Sequence, residues 1–285
     1  MTPLAIKEQQ RRTWDAVSAG WAASMDVFER GAAAVTAHLL DLGGVRPGHA
    51  VLDIGTGLGE PALSAARLVG PAGRVLGIDL SPAMVEAARL RGTGAGPVEY
   101  AVADIEADRF PAASFDVALS RWGLMFAVDH VATFTAVRRL LVPHGVLAAA
   151  VWGPPASAPV MAFSYGVLSQ RFELPPPPPG TPGPFSMADP VALAAELTAA
   201  GFADVAVEEA TVPFRFADAA EYVRFSRSVT PPGLLDLIRA ACGDPDDPAA
   251  WRAVGDAARE RFADNAGLQL ASTVLYLRAT APPVS

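Results

Sequence analysis

Gly55, Gly57 and Gly59 stand at alternate positions directly after the apolar run Val51-Leu52-Asp53-Ile54, and Glu60 follows them. Residues without a side chain, placed where a strand gives way to a helix, let another molecule approach the backbone closely. The dinucleotide fingerprint is Gly-x-Gly-x-x-Gly, but here the spacing is Gly-x-Gly-x-Gly with a carboxylate in sixth place. The third glycine of the fingerprint permits close helix–strand packing, and it is missing. Glu60 also brings negative charge to a helix start, where a pyrophosphate would otherwise sit. The loop therefore predicts a ligand that carries a nucleoside and no pyrophosphate.

Two further acids sharpen this reading. Asp79 closes the next apolar run at about the spacing, ~20 residues, at which an acid receives ribose hydroxyls. A carboxylate accepts from both hydroxyls at once, and such charge-assisted bonds are strong. Asp104 follows a third strand-like run and is placed to reach an adenine amino group, with Ile105 against the ring. Each acid has a second reading: Asp53 can bond loop amides, and Asp79 or Asp104 can cap a turn. Of the histidines His38, His49, His130 and His144, only His130 falls near this constellation, as a catalytic base or as a solvated first-turn residue. The lone Cys242 has no histidine near it, and no spacing of ligand residues marks a metal site.

The elements that must position these residues alternate. Strands are expected at 51–54, 75–79, 98–102, 115–120 and 146–152, and helices from Glu60, from Ser81-Pro82 and from Asp129. Ser81 and Asp129 can each accept from free N–H groups of a first turn, and proline suits the first helical position. "VPHG" at 142–145 ends the third of these helices. This alternation predicts a mostly parallel sheet with helices on both faces, its ligands at the carboxyl ends of the strands.

Past Trp152 the rhythm changes. A helix is expected over 159–172, and "PPPPPGTPGP" (175–184) reads as a stiff spacer, with a docking site for a proline-binding partner as the alternative. A helix from Asp189-Pro190 to Gly201, strands at 205–214 and 268–277, and a helical stretch at 217–263 broken by "TPPG" and "GDPDDP" complete the chain.

The segments "VLDIGTGLGE" (51–60), "GRVLGIDLSPAMVEAAR" (73–89), "VADIEADRFPAASFDVALSRWGLMF" (102–126) and "VRRLLVPHGVLAAAVW" (137–152) together resemble the class I S-adenosylmethionine-dependent methyltransferases. Within that superfamily the chain is similar to the small-molecule enzymes of the ubiquinone/menaquinone-biosynthesis type. The resemblance covers residues 10 to 155 well and the tail only in layout. It implies an α/β, Rossmann-like, doubly wound fold with a seven-stranded sheet, an N-terminal helical segment and a helical insertion. One methyltransferase domain then spans 1–285, with a lid at 1–30, a cofactor-binding core at 31–152, and C-terminal strands at 153–285 whose insertion at about 217–263 encloses the substrate.

Carried over by position, the resemblance implies that Asp53 and the loop Gly55-Thr56-Gly57-Leu58-Gly59 border the methionine part of S-adenosylmethionine. Asp79 would hold the ribose, Leu80 and Met84 would lie beside the adenine, and Asp104 and Ile105 would hold it. Ser120 and Arg121 would lie near the methionine amino group, through their backbone. Trp122, Leu124, Met125 and Phe126 would face the sulfonium and the acceptor. Trp14 and Trp21, at helical spacing, are either core or part of a lid. His144 stands where the family usually has a second glycine, at a turn away from the cofactor.

The implied reaction is methyl transfer to a small hydrophobic or aromatic metabolite, O-methylation ahead of C- or N-methylation. The alternative is the same fold binding the cofactor for a cyclisation or isomerisation. A nicotinamide oxidoreductase is disfavoured by Glu60 and because Lys7, the only lysine, forms no Tyr-x-x-x-Lys pair. Net charge is −8 with no dense basic tract, which disfavours nucleic acid. No apolar stretch approaches the ~20 residues of a membrane span. The start of the chain shows no secretory pattern, and a cytoplasmic protein is the expectation. Oligomeric state is open, a homodimer included.

Overall fold

The computed structural model describes residues 2–107, 110–175 and 181–283. Thr2 caps and Pro3 opens a helix of 40 residues, α1 (Pro3–Leu42). It buries Val17, Ser24, Phe28, Ala32, Val35 and Leu39, spaced by three, four or seven, the stripe a helix needs to lie on a core. The expected division between a lid (1–30) and a core (31–152) therefore falls inside one unbroken helix.

The alternating part follows: β1 (Ala50–Ile54), α2 (Ala62–Val69), β2 (Arg74–Asp79), α3 (Pro82–Arg91), β3 (Val98–Val102), β4 (Phe115–Arg121), α4 (His130–Leu140) and β5 (Leu141–Trp152). The Ser81 hydroxyl accepts from Met84 N at 3.1 Å and Asp129 accepts from Ala132 N at 2.9 Å, so both expected caps form. The helix expected from Glu60 starts two residues later, with Pro61 at its cap. "VPHG" lies within β5: the register with β4 shifts there, and His144 takes φ +65° to absorb the extra residues.

The C-terminal part comprises α5 (Pro159–Phe172), α6 (Pro190–Ala199), β6 (Ala203–Phe216), α7 (Ala219–Val229), α8 (Pro232–Cys242), α9 (Pro248–Phe262), β7 (Ala263–Asp264) and β8 (Gly267–Thr280). Most of the proline run, 176–180, lies outside the described residues.

The sheet order is β3-β2-β1-β4-β5-β8-β6. Strands β1 to β5 pair in parallel, and β8 runs antiparallel between β5 and β6. The path has the seven strands expected; the two-residue β7, paired with β8, makes the sheet eight-stranded. Strand order reverses beside β1, which sets the crevice at the carboxyl ends of β1 and β4.

Helices α7 to α9 fall between β6 and β8 and pack back over that crevice against α1 and α5. The contact of α1 with α7 is tight: a Cβ on Gly20 would lie 1.8 Å from Ser228 O, and Ser24 Oγ meets Ser228 Oγ at 2.6 Å. Gly20→Ala should therefore push the helices apart at a cost of about 1–3 kcal/mol, lowering Tm by roughly 2–10 °C. Gly166→Ala in α5, where a Cβ meets nothing within 4 Å, should leave Tm equal or higher. Thermal melts of the two variants check this.

Candidate functional site

A cavity of about 1260 Å³ opens at the carboxyl ends of β1, β2 and β4, beneath α1. Single small-molecule sites hold roughly 300–1,000 Å³, and this one is larger. One part is polar and is built around the glycine loop; the other is walled by aromatic and aliphatic side chains.

In the polar part, Gly55 and Thr56 both donate backbone N–H to Ile78 O at 2.9 Å, which folds the loop back over β2. Gly55 has φ +69°, and a Cβ on it would lie 2.8 Å from the Cα of Gly123. A Cβ on Gly57 would meet nothing within 4 Å, so this backbone faces open space. Asp79 accepts from Gly57 N and Ser81 N, each at 2.9 Å. Desolvation in this crevice pushes its carboxyl up, against the pull of the Ser81 and Gly57 amides. Asp104, with Ile105 beside it, receives Lys7 Nζ at 2.6 Å, and Glu106 receives the same ammonium at 3.2 Å. Lys7 thus ties the start of α1 across the crevice. Asp15 of α1 accepts from Ser81 Oγ at 2.6 Å and from Ala83 N at 3.2 Å, a second tie of α1, to the start of α3.

Of the residues singled out in the sequence, Gly55, Thr56, Gly57, Asp79, Leu80, Met84, Asp104, Ile105 and Arg121 line the cavity, and so do Trp14, Trp21, Trp122, Leu124, Met125 and Phe126. Four expected residues do not line it. Asp53 is fully buried beneath the loop, where Oδ2 accepts from Thr56 Oγ1 at 2.6 Å and Ala62 N at 3.1 Å. It braces the loop and the start of α2 rather than bordering a ligand. Gly59 turns away from the cavity, where a Cβ would lie 2.9 Å from the Tyr100 hydroxyl. The Ser120 hydroxyl is spent inward, donating to Ile54 O at 2.7 Å and accepting from Leu124 N at 3.2 Å. His130 sits between α4 and α6, its Nδ1 3.0 Å from Glu196 Oε2, so it does not reach the cavity as a base.

Arg121 lines the cavity but is already engaged. Its guanidinium bonds Glu29 at 2.5 and 3.0 Å, Ala32 O at 3.2 Å and Thr36 Oγ1 at 2.7 Å, all on α1. The next residue, Trp122, takes φ +61°, a region that side chains other than glycine rarely occupy. Its ring stacks on Trp152 at 4.4 Å and meets Phe28 edge-on at 5.2 Å. Phe225 of α7 stacks on Phe28 at 5.9 Å, and Trp14 meets Phe126 edge-on at 4.9 Å.

Sequence reasoning missed Lys7, Asp15, Phe28, Trp152, Phe163 and Phe225. Their partners lie far off in the chain, and the one available signal was the isolation of Lys7 as the sole lysine.

A doubly wound sheet with a glycine loop after β1, an acid ending β2 and an acid after β3 defines a Rossmann-like protein that binds a nucleoside-bearing cofactor. The family Methyltransf_11, a methyltransferase domain, matches residues 52–149. The chain is similar to the ubiquinone/menaquinone biosynthesis C-methyltransferase UbiE of Hahella chejuensis, at 31% identity over 59% of this chain and 69% of that one. It is 36% identical to the protein of the same name from Pasteurella multocida, over 47% of this chain and 53% of that one. It is 38% identical to the nocamycin O-methyltransferase of Saccharothrix syringae, over 43% of this chain and 45% of that one. The last two matches span about half the length of the relative. The YcgJ protein of Bacillus subtilis shares the fold, with a TM-score of 0.58 at 18% identity over 87% of this chain and 98% of that one. The chain belongs to the class I S-adenosylmethionine-dependent methyltransferases.

The Asp53 carboxyl is pushed up to about 7, chiefly by burial, with the Thr56 and Ala62 hydrogen bonds opposing the rise. A folded-state value above the unfolded one means the native protein binds more protons in between, so stability falls as pH rises from about 4 to about 7 and then levels. Asp53→Asn keeps an acceptor for Thr56 and Ala62 and removes this titration. Melts across that range should show a flatter pH dependence in the variant.

Proposed function

We propose that the protein transfers a methyl group from S-adenosylmethionine to a small aromatic or otherwise apolar acceptor, an acidic hydroxyl in the first instance. The carrying observation is the continuity of the cavity, acidic at the glycine loop and aromatic beyond Trp122. The bound cofactor would supply a methyl group on a sulfonium that is its own leaving group. Asp79 would accept from the ribose hydroxyls, Asp104 from the adenine amino group, and Leu80, Met84 and Ile105 would flank the ring. The backbone of Gly55 and Gly57 would border the methionine part. That the residues fit such a molecule rests on the open space over Gly57 and on an acid at the end of β2 that the cavity reaches.

Trp122, Met125 and Phe126 would hold the acceptor in line with the methyl group, and α1, through Trp14 and Trp21, would exclude water. Orientation and exclusion of water are what this chain contributes to the rate. No histidine lines the cavity among the described residues, and its carboxylates belong to the cofactor end. The acceptor must then arrive ionised by its own acidity, which favours phenols and enols and O-methylation. Relatives named for C- and for O-methylation support this chemistry without choosing the atom.

A methyl-transfer screen across phenols, quinols and amines, read by mass spectrometry, tests the reading. Transfer to none of them by protein that binds the cofactor would point instead to cyclisation or isomerisation. Asp79→Ala should weaken S-adenosylhomocysteine binding by ~10–100-fold, the loss of one or two charge-assisted hydrogen bonds, as measured by calorimetry. Turnover against pH should follow the pKa of each acceptor in turn; a midpoint that stays fixed across acceptors would reveal a base on the protein. Removing residues 1–25 should impair cofactor or acceptor binding, and unchanged affinity and turnover would refute the covering role of α1.

A further inference from the structure

Building on the methyltransferase reading, we propose that the acceptor carries a carboxylate or similar oxyanion and that Arg261 binds it at the mouth of the cavity. Among the described residues, the charged ones that line the cavity are Glu60, Asp79, Asp104, Glu106, Arg121 and Arg261. The four acids belong to the glycine loop and the ends of β2 and β3, where the cofactor would lie. Arg121 is paired with Glu29 at 2.5 Å and bonded to Ala32 O and Thr36 Oγ1 of α1. Arg261, near the end of α9, is solvent-exposed and makes no hydrogen bond or ion pair among the described residues. Its neighbour Arg259 does pair, with Asp256 at 2.9 Å.

A cation in the last turn of a helix has a general favourable field, but that does not account for where this one sits. Its guanidinium carbon lies 6.0 Å from the centre of the Phe163 ring and 5.6 Å from that of Phe262. These two rings meet edge-on at 4.8 Å and fasten α9 to α5. A guanidinium held against aromatic rings keeps its N–H groups for a planar oxyanion, which it grips through two parallel bonds. Phe163 itself lines the cavity, with Phe225, Trp122 and Trp152 further in. An acceptor with an apolar ring and an acidic substituent matches this layout. Its ring would lie on the aromatic wall and its acid at the mouth, and a neutral acceptor would leave Arg261 to water.

The test titrates the protein, saturated with S-adenosylhomocysteine, with a hydroxynaphthoate and with the naphthol that lacks its carboxylate. The signal is the fluorescence of the cavity tryptophans. The wild type should bind the hydroxynaphthoate at least tenfold more tightly. Arg261→Ala should abolish that preference while leaving naphthol and S-adenosylhomocysteine affinities and Tm unchanged, and Arg261→Lys should retain part of it. A wild type with no preference, or with no binding of either probe, overturns the proposal, as does a preference that survives in Arg261→Ala. If S-adenosylhomocysteine itself fails to bind, the methyltransferase reading falls with it. Cofactor binding without the acid preference removes the anion subsite alone.

Discussion

The guanidinium of Arg121 is nearly shielded from water at the carboxyl end of β4 and is held entirely by α1: two bonds to Glu29, one to Ala32 O, one to Thr36 Oγ1. A buried cation is tolerated only when its donors are met and its charge is balanced, and removing one partner costs several kcal/mol. This demand fixes the register of α1 against the sheet. Because α1 is one helix from Pro3 to Leu42, fixing its middle also aims its first half, so that Lys7, Trp14 and Trp21 arrive over the crevice. The same interaction holds the backbone just before Trp122, whose left-handed conformation turns its ring towards Trp152 and Phe28.

From that constraint follows the division of the cavity. Polar groups are costly to bury without partners, and here each acid of the cofactor end is bonded in place: Asp79 by amides, Asp104 and Glu106 by Lys7, Glu60 by Ser64 N at 3.2 Å. Beyond Trp122 the wall is mainly aromatic and aliphatic. Helix α5 illustrates the difference. It is apolar in sequence, yet only Val160 and Leu168 are buried; Met161, Phe163 and Val167 pack partly against the core and partly line the cavity. A space of this kind strengthens electrostatic interactions within it and favours orientation of the acceptor over solvation.

Much of the fold was legible in the chain because its signals are local. The caps at Ser81 and Asp129, the stop at Gly201 and the apolar runs that became β1 to β5 depend on neighbours within a few residues. The loop was legible for the same reason, since three glycines and Glu60 restrict what can lie beside them. The misreadings were of direction. Asp53 and Gly59 stand at a strand end and within the glycine loop, as site residues should, but whether such a position faces a crevice or the layer beneath depends on strand pleat and on what packs below. His130 was near the site in sequence and was taken out of it by α6, which begins sixty residues later.

The sequence by itself determined the order of strands and helices, the acids at the ends of β2 and β3, and the exclusion of a pyrophosphate, all consequences of short-range sterics and hydrogen bonding. Only the tertiary structure decided which surfaces close on one another: α1 over the glycine loop, α5, α7 and α9 around the aromatic wall, and Arg261 at the mouth. Those placements join residues up to about two hundred positions apart, as in Ser24 against Ser228. They are set by packing and by the balancing of buried charge, which no local pattern records.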